Sequence, residues 1–374
     1  MSVKKIFFST TLSFMFCASI SAQDIKIGTY IFPDGAEYQG DMFKGKPWGQ
    51  GTTTFKNGDV HQGQYEKGKR QGQGTYQFAD GEKYEGEWFA DQQHGLGTYY
   101  FANNNKYVGL WYKDYQQGMG TMYYFNGDVY KGNWSQDMRD GNGTYNYATG
   151  ESYTGAWKGD KKNGKGIFNW NDGNRYDGFW KDNQMNGKGT YNYSSGDVYS
   201  GDWLNGLPHG RGIYHFHNGD RYEGGYQNGE RSGEGIFTFA NGNKYVGNFL
   251  KGEQNGHGTY TWTNGATYEG EWKSNHPHGR GKYQWANGDV YDGNWKQGLM
   301  DGEGIMRMAD GTKFKGGFKK GKKEGYGIME DAQGNRYEGE WKDDLKDGSF
   351  IEKDKSGKTT RKGIYKRGVL SSTN

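Results

Sequence analysis

The stretch Gly72-Gln-Gly-Thr-Tyr-Gln-Phe-Ala-Asp-Gly-Glu-Lys-Tyr-Glu-Gly-Glu-Trp88 contains two runs with large rings at alternate positions, separated by Asp80-Gly81. Successive side chains of a strand point to opposite faces, so Tyr76 and Phe78 share one face of the first run. Tyr84 and Trp88 share a face of the second run in the same way. This pattern predicts a β-hairpin with one aromatic face and one solvated face. The residues that point to the solvated face are Thr75, Gln77, Lys83, Glu85 and Glu87.

The second run contains Tyr-x-Gly-x-Trp, a pattern that recurs every 23 residues without insertion or deletion. A fixed period of this length is typical of a repeat protein, in which each unit packs against its neighbours. The sequence therefore predicts an all-β fold: an elongated, twisted, single-layer antiparallel sheet of tandem β-hairpins. The central glycines of the pattern are Gly40, Gly63, Gly86, Gly109, Gly132, Gly155, Gly178, Gly201, Gly224, Gly247, Gly270, Gly293, Gly316 and Gly339. The expected structural core is represented by Tyr84, Gly86, Trp88, Tyr153, Gly155, Trp157, Tyr199, Gly201, Trp203, Tyr268, Gly270 and Trp272.

Glycine is expected to have three roles in each repeat. The glycine of an Asp-Gly or Asn-Gly pair supplies the positive φ of a tight turn, and Asn104 replaces it once because asparagine tolerates the same conformation. A Gly-x-Gly pair, such as Gly95 and Gly97, is expected to join one hairpin to the next. The glycine between Tyr and Trp, such as Gly86, is expected to open a slot for a neighbouring ring, so that rings stack from unit to unit.

Composition supports a folded chain with an aromatic core. The mean hydropathy of −1.13 is that of a very polar protein, yet 17% of the residues are Phe, Trp or Tyr. Each such ring removes about 150–250 Å² from water when it is buried. Without Lys4 and Lys5 of the leader described below, 45 basic residues remain against 44 acidic ones, a balance that argues against nucleic-acid binding.

Residues 1–22 do not fit the repeat and have the features of a secretory signal peptide. Lys4 and Lys5 precede an apolar run, and Ser21-Ala22 is a small-residue cleavage site before Gln23. The alternative is an uncleaved membrane anchor, although the run is shorter than the roughly 20 residues that span a bilayer. Cleavage would remove Cys17, the only cysteine, so the mature chain would have no disulfide. We therefore expect an exported protein that is periplasmic, associated with the cell envelope or secreted.

The motif Gly-x-Gly-Thr-Tyr-x-Phe, followed by Asn-Gly-Asp and Tyr-x-Gly-x-Trp, resembles the MORN repeat over about residues 28–348. The resemblance implies an elongated, twisted antiparallel sheet with an aromatic groove that serves protein interaction or scaffolding. It also implies a proposed role in membrane and phospholipid binding. The expected organisation is a signal peptide at 1–22, tandem repeats at 23–348, and a degenerate terminal repeat with a basic tail at 349–374.

Residues that suggest chemistry have simpler explanations in this chain. His215 and His217 would supply at most two ligands on one face, whereas a structural zinc site needs four. The segment Lys355–Thr359 resembles the end of a phosphate-binding loop, but Glu352 stands where that motif needs glycine. Carboxylates such as Glu85 and Glu271 recur as ordinary strand residues. We therefore predict no catalytic, metal or cofactor site and no enzyme activity.

The array departs from its pattern near both ends. At the start, Met42 replaces the tryptophan, His61 the tyrosine and Thr53 another ring, which suggests an N-terminal cap and puts groove function there in doubt. Near the other end, methionines replace rings beside a run of lysines, which is either a second cap or a docking site. The candidate docking residues are Met306, Met308, Lys313, Phe314, Lys315, Lys319, Lys320, Lys322, Lys323 and Met329.

These observations predict a non-catalytic, exported scaffold that binds a protein. The expected sites are an aromatic-lined groove and the Met- and Lys-rich C-terminal end, and the partner is another protein or a second copy of the chain. The alternative is direct binding of anionic lipid through the lysines, or of envelope glycan through aromatic stacking.

Overall fold

The computed structural model describes residues 24–373, and the leader predicted at residues 1–22 lies outside them. The described residues contain β-strands and turns and no α-helix. They fall into two compact units that divide after Ala148, which are called unit 1 and unit 2. Within each unit every strand pairs antiparallel with its neighbours in the chain, as for β1 with β2 (residues 26–31 and 37–43). The prediction of an all-β antiparallel sheet of tandem hairpins is therefore confirmed.

Unit 1 contains eleven strands, in which lengths of seven and nine residues alternate after the first. They are β1 Lys26–Ile31, β2 Glu37–Phe43, β3 Lys46–Thr54, β4 Val60–Glu66, β5 Lys69–Gln77, β6 Lys83–Phe89, β7 Gln92–Tyr100, β8 Lys106–Tyr112, β9 Tyr115–Tyr123, β10 Val129–Ser135 and β11 Met138–Asn146.

Unit 2 continues the same alternation and deviates from it only in its last two strands. Its strands are β12 Ser152–Lys158, β13 Lys161–Asn169, β14 Arg175–Lys181, β15 Gln184–Asn192, β16 Val198–Leu204, β17 Leu207–His215, β18 Arg221–Gln227, β19 Glu230–Thr238, β20 Lys244–Leu250, β21 Glu253–Thr261, β22 Thr267–Lys273, β23 His276–Gln284, β24 Val290–Lys296, β25 Leu299–Arg307, β26 Lys313–Lys319, β27 Lys322–Glu330, β28 Arg336–Lys342, β29 Leu345–Lys353, β30 Thr359–Lys366 and β31 Val369–Thr373.

Two kinds of turn connect the strands. The predicted Asp-Gly turn is present between β5 and β6, where the Gly81 amide donates to the Phe78 carbonyl at 3.1 Å, and Asn104 has the expected positive φ of 64°. The prediction that Gly-x-Gly joins the hairpins is wrong. The connection is a two-residue turn such as Ala90-Asp91, whose φ angles of 49° and 74° are those of a tight hairpin turn, and the Gly-x-Gly pair lies inside the following strand.

The glycine pairs leave a space for the tyrosine ring of their own repeat, and we call this space the tyrosine seat. Gly86 of β6 and Gly97 of β7 are register partners, and the Tyr84 ring lies across both. A Cβ added to Gly86 would lie 2.5 Å from the Tyr84 hydroxyl oxygen. That hydroxyl donates to the Glu87 carbonyl at 2.9 Å, so a fully buried polar group is satisfied. The slot therefore exists, but the ring that fills it comes from the same repeat and not from a neighbour.

Rings of successive repeats meet edge to face. The Tyr84 centroid lies 5.3 Å from that of Trp88 in its own repeat and 5.4 Å from that of Trp111 in the next, with interplanar angles of 88° and 83°. Tyr176 is held in the same way between Trp180 and Trp203 in unit 2. The expectation of stacked rings is corrected, because a ring edge is positive and the ring face is negative, which favours the T-shaped contact.

Turns of successive repeats are tied together by acidic side chains. The Asp59 carboxylate accepts hydrogen bonds from the Tyr76 hydroxyl at 2.7 Å and the Ala79 amide at 2.9 Å, one repeat further along. Asp197 is bonded in the same manner to Tyr214 at 2.8 Å and to the His217 amide at 2.7 Å. These contacts lower the pKa of Asp197, chiefly through the His217 amide, so the carboxylate is held ionised.

The sheet continues past residue 348 with a modified repeat. Phe350 occupies the place of the second glycine of Gly-x-Gly, and its buried ring stacks on Tyr337 at 5.6 Å and 16°. The extra residue that puts Gly363 out of register is absorbed at an irregularity between Glu352 and Lys353, where β29 meets β30. The last strand, β31, is exposed throughout.

Candidate functional site

Each unit presents two chemically different surfaces. The aromatic face carries the Tyr and Trp of each repeat, which are almost fully buried, as Tyr176 and Trp180 are. The opposite surface, which we call the groove face, carries the alternate side chains of every strand. Asp177 and Phe179 belong to it, and both are partly or largely exposed. Groove-face side chains are therefore the ones available to a partner.

A groove in unit 2 crosses the groove face from β15 to β21 and has a volume of about 730 Å³. Glycine pairs such as Gly212 and Gly224 line its floor with bare backbone, because the side-chain direction at these positions is occupied by the tyrosine rings beneath. Its walls combine basic, acidic and apolar side chains. They include Lys188, Arg211, Ile213, Glu223, Glu234, Ile236, Val246, Asn248 and His257.

The unit 2 groove is not the aromatic-lined groove expected from the sequence, because the recurring rings lie on the other side of the sheet. Tyr199 and Trp203 are buried and do not line the groove. The position of the groove was not predicted, because its lining residues occupy the positions that vary from repeat to repeat. A usable signal was present, since alternation places Ile213 and Ile236 on the solvated face, where an apolar residue has no role in the core.

The N-terminal departures form a hydrogen-bonded cluster on the aromatic face of unit 1. The Tyr65 hydroxyl lies 2.6 Å from the Thr53 hydroxyl and 2.8 Å from His61 Nδ1. Burial, with the nearby Arg70 guanidinium, lowers the pKa of His61 to about 3. His61 is therefore a neutral core residue. At Thr53 and His61, hydrogen bonds replace the ring contacts that other repeats make at these positions.

An aromatic-lined cavity of about 400 Å³ lies beside this cluster, at the end of the array where groove function was in doubt from the sequence. Tyr30, Phe32, Phe55 and Tyr65 contribute rings to its wall, and Thr53 lines it where other repeats carry a ring. The cavity is a consequence of that smaller side chain, since a ring at position 53 would occupy the space.

The MORN repeat model matches fourteen consecutive segments of the chain. They are residues 38–60, 61–83, 84–106, 107–129, 130–152, 153–175, 176–198, 199–221, 222–244, 245–267, 268–290, 291–313, 314–336 and 337–349. The chain belongs to the MORN-repeat family. Each match begins at the tyrosine position, so one MORN repeat comprises a seven-residue strand and the nine-residue strand that follows it.

No curated protein matches the MORN array by sequence. Among solved structures, it is similar at 17% identity and a TM-score of 0.28 to the TCP domain of SAS-4 (dCPAP) of Drosophila melanogaster in complex with a proline-rich motif of Ana2, over 41% of this chain and 85% of that chain. It is similar at 10% identity and a TM-score of 0.13 to virginiamycin B lyase of Staphylococcus aureus, over 82% of this chain and 96% of that chain. At such TM-scores neither likeness carries an argument about this protein.

The C-terminal methionines and Phe314 belong to the aromatic face of the MORN array. Phe314 is 0% exposed, and its ring lies edge to face with Phe318 and Trp341. Its assignment as a docking residue is therefore corrected, because it fills the tyrosine seat. Met306 and Met329 are the register partners of Phe314 on either side and are partly buried. Met308 begins the next Asp-Gly turn, where its amide donates to the Thr312 carbonyl at 2.8 Å.

The lysines near this end do not form one surface. Lys323 lies over the rings of Phe314 and Trp341, at 5.4 and 5.1 Å from their centroids, as Arg231 lies over the rings of its own repeat. Lys322 pairs with Asp343 at 3.2 Å. Of the others, Lys313 and Lys315 lie at groove-face strand positions, Lys319 is the last residue of β26, and Lys320 lies in the hairpin turn. That these lysines bind a partner stays a prediction.

The remaining candidates have structural roles where the structure describes them. His217 Nδ1 lies 2.8 Å from Asp197, and no group of three or more metal-ligating side chains occurs in residues 24–373. Of Lys355–Thr359, the first four residues lie in a hairpin turn, in which the Gly357 amide donates to the Asp354 carbonyl at 2.8 Å, and Thr359 begins β30. Glu271 accepts from the Arg280 amide at 3.1 Å as a groove-face strand residue. Within the same range, no helix has the length and apolarity that a membrane span requires.

Proposed function

We propose that this MORN array is an exported, non-catalytic scaffold that binds a protein segment in the unit 2 groove. MORN repeats suggest a scaffold for protein interaction. The observation that supports the site is the 730 Å³ groove itself, in which backbone and three classes of side chain are exposed together. A groove with these properties offers hydrogen bonds, charges and apolar contacts to one extended segment.

The charges of the groove favour a partner segment that carries both signs. Arg211 and Lys188 lie at one end, and Glu223 and Glu234 lie further along. Lys188 pairs with Asp202 at 2.6 Å, whereas Glu234 has no such pair among the described residues. Glu223 already pairs with Arg221 at 2.6 Å. The proposed occupant is therefore a protein segment with an acidic residue for Arg211, a basic residue for Glu234 and apolar residues for Ile213.

Site-specific photocrosslinking in cells tests this proposal. A photoreactive residue at position 213 or 236 should give a crosslink to one protein, identified by mass spectrometry, whereas the same residue at the exposed turn position 241 serves as control. The crosslink should weaken in the variant Glu234→Lys. Equal crosslinking from all three positions, or a crosslink unaffected by Glu234→Lys, would argue against binding in the groove.

Vesicle flotation addresses the lipid alternative. Anionic vesicles that retain the protein at low salt and release it at high salt would favour the exposed lysines as a lipid-binding surface in place of the groove. Export is tested separately by the mass of the mature N-terminus, which should begin at Gln23 if the leader is removed.

A further inference from the structure

Unit 1 carries an apolar surface that the proposed function does not use. Six side chains on the groove face of β7, β8 and β9 are between 36% and 62% exposed, although all are large and apolar or aromatic. We call this set the apolar patch: Leu96, Tyr100, Val108, Leu110, Met119 and Tyr123. A contiguous exposed surface of this kind marks an interaction site.

Strand register places the patch residues side by side. Leu96 is the partner of Leu110, and Leu110 lies opposite the irregularity of β9 that contains Met119. The next row on this face has Val108 between two threonines, and in the row after it Tyr100 and Tyr123 flank Lys106. Neighbouring strands are about 4.8 Å apart, so each row extends for about 10 Å across three strands.

The fold does not require apolar residues at these positions, as the adjacent repeats show. The positions of Leu96 and Met119 are filled one repeat earlier by Gln73 and one repeat later by Asn142. Glutamine and asparagine also replace the other members of the patch. Gln77 and Asn146 match the two tyrosines one repeat away. Val108 and Leu110 correspond to Glu85 and Glu87 one repeat earlier and to Gln62 and Gln64 two repeats earlier. Nearby repeats therefore build the same strands with amide or carboxylate side chains, and the patch must have another use.

Lysines without acidic partners border the patch. Lys106 lies 4.7 Å from the centroid of the Tyr123 ring, and Lys131 is the register partner of Thr121 beside it. Across residues 24–373, no carboxylate lies within ion-pair distance of Lys106 or Lys131. A carboxylate of a ligand would form an ion pair with either lysine without breaking an existing ion pair.

We propose that the apolar patch binds an extended segment of a partner protein in which a carboxylate precedes two apolar side chains at alternate positions. Lys106, Val108 and Leu110 follow one another at alternate positions of β8 and span about 13 Å at 3.3 Å per residue. An extended segment has the same spacing. Its acidic residue would meet Lys106, and its apolar residues would cover Val108 and Leu110.

Two other occupants fit the patch less well. A glycan would need free ring faces, but lysine ammonium groups lie 4.5 and 4.7 Å from the centroids of Tyr100 and Tyr123. An anionic membrane is a broad surface and would also meet Glu87, which lies on the same face beside His94. The patch is separate from the unit 2 groove, and its assignment does not depend on that groove being a binding site.

The test is selection of random 12-residue peptides displayed on phage against the full mature chain, followed by titration of the selected peptides. The selected sequences should contain the pattern acidic-x-apolar-x-apolar. The variant Leu96→Gln/Leu110→Gln/Met119→Asn should weaken binding by about tenfold or more. The single variant Lys106→Gln should weaken it less and reduce its salt dependence.

The controls use the repeats themselves. The triple variant carries only residues that repeats one or two positions away already hold, so its thermal unfolding midpoint should match that of the wild type. The matched variant Ile213→Thr/Val246→Ser, which alters the unit 2 groove, should bind the selected peptides normally. The proposal is overturned if no peptide is selected, if the selected peptides bind the triple variant as well as the wild type, or if the triple variant instead abolishes self-association or vesicle binding.

Discussion

The aromatic face and the groove face of the same strands differ in burial and in how far their residues vary from repeat to repeat. Tyr107 and Trp111 of β8 are buried against neighbouring rings, and the same residue types recur at their positions through most of the array. Val108 and Leu110 of the same strand face solvent, and their counterparts one repeat earlier are Glu85 and Glu87. A sheet of this kind can therefore change its binding surface without changing its core, because alternate side chains of one strand never share an environment.

The largest effect on stability should come from adding a side chain to a glycine that forms a tyrosine seat. In Gly178→Ala the new Cβ would lie about 2.6 Å from the Gly189 Cα and would press on the Tyr176 ring, so the free energy of unfolding should fall by at least about 3 kcal/mol. Urea unfolding followed by tryptophan fluorescence measures it. The control is Gly265→Ala, where no atom lies within 4 Å and only the φ of +88° is strained, at about 1 kcal/mol. If the two variants lose the same free energy of unfolding, Gly178 is not needed to make room for the Tyr176 ring.

A pH-dependent effect of similar size should come from His61. Its pKa of about 3 in the folded chain lies below the unfolded value of 6.5. The stability that neutral His61 allows is therefore fully present above pH 6.5 and is lost as the pH falls towards 3. Between pH 6.5 and 4 this loss is about 3 kcal/mol. His61→Tyr reproduces the pair found at Tyr222 and Tyr226, and should remove that part of the acid sensitivity in urea titrations at each pH. An unchanged pH profile would exclude His61 as its source.

A smaller gain should follow from removing a half-buried charge on the aromatic face. Lys162 Nζ lies 4.4 and 4.5 Å from the ring centroids of Phe168 and Trp180, and burial lowers its pKa to about 8 from 10.5. Lys162→Met, which copies Met185 of the next repeat, should raise the free energy of unfolding at pH 7 by about 1–2 kcal/mol. The gain should shrink above pH 8 as the wild-type lysine loses its proton. A gain that persists unchanged at pH 10 would point to packing and not to charge.

The smallest change on the aromatic face concerns one hydroxyl. Phe314 fills a tyrosine seat without the hydroxyl that elsewhere donates to a backbone carbonyl, as Tyr176 donates to Phe179 at 3.0 Å. Phe314→Tyr should stabilise the chain by up to about 1 kcal/mol, and Tyr176→Phe should destabilise it by about the same amount. Thermal unfolding of both variants checks the pair. If both variants are destabilised, the two seats are not equivalent.

Much of the aromatic face could be predicted from the sequence, because its positions repeat. The strand faces, the Asp-Gly turn and the substitute Asn104 follow from local spacing and φ preference. The turn at Ala90-Asp91 escaped detection because it contains no glycine, and the Gly-x-Gly pair was misplaced in consequence. Phe314 was assigned to a docking surface because a departure from the pattern does not reveal whether the new side chain still occupies the old seat.

The sequence by itself determined the period, the alternation of faces and the aromatic core, since these depend on contacts between residues close together in the chain. Only the tertiary structure decided which face carries the groove, that Tyr84 lies over Gly86 and Gly97, and that Leu96, Leu110 and Met119 adjoin. The physical reason is that neighbouring strands bring together residues about 10 or more positions apart, and their side chains meet only once strand register is fixed.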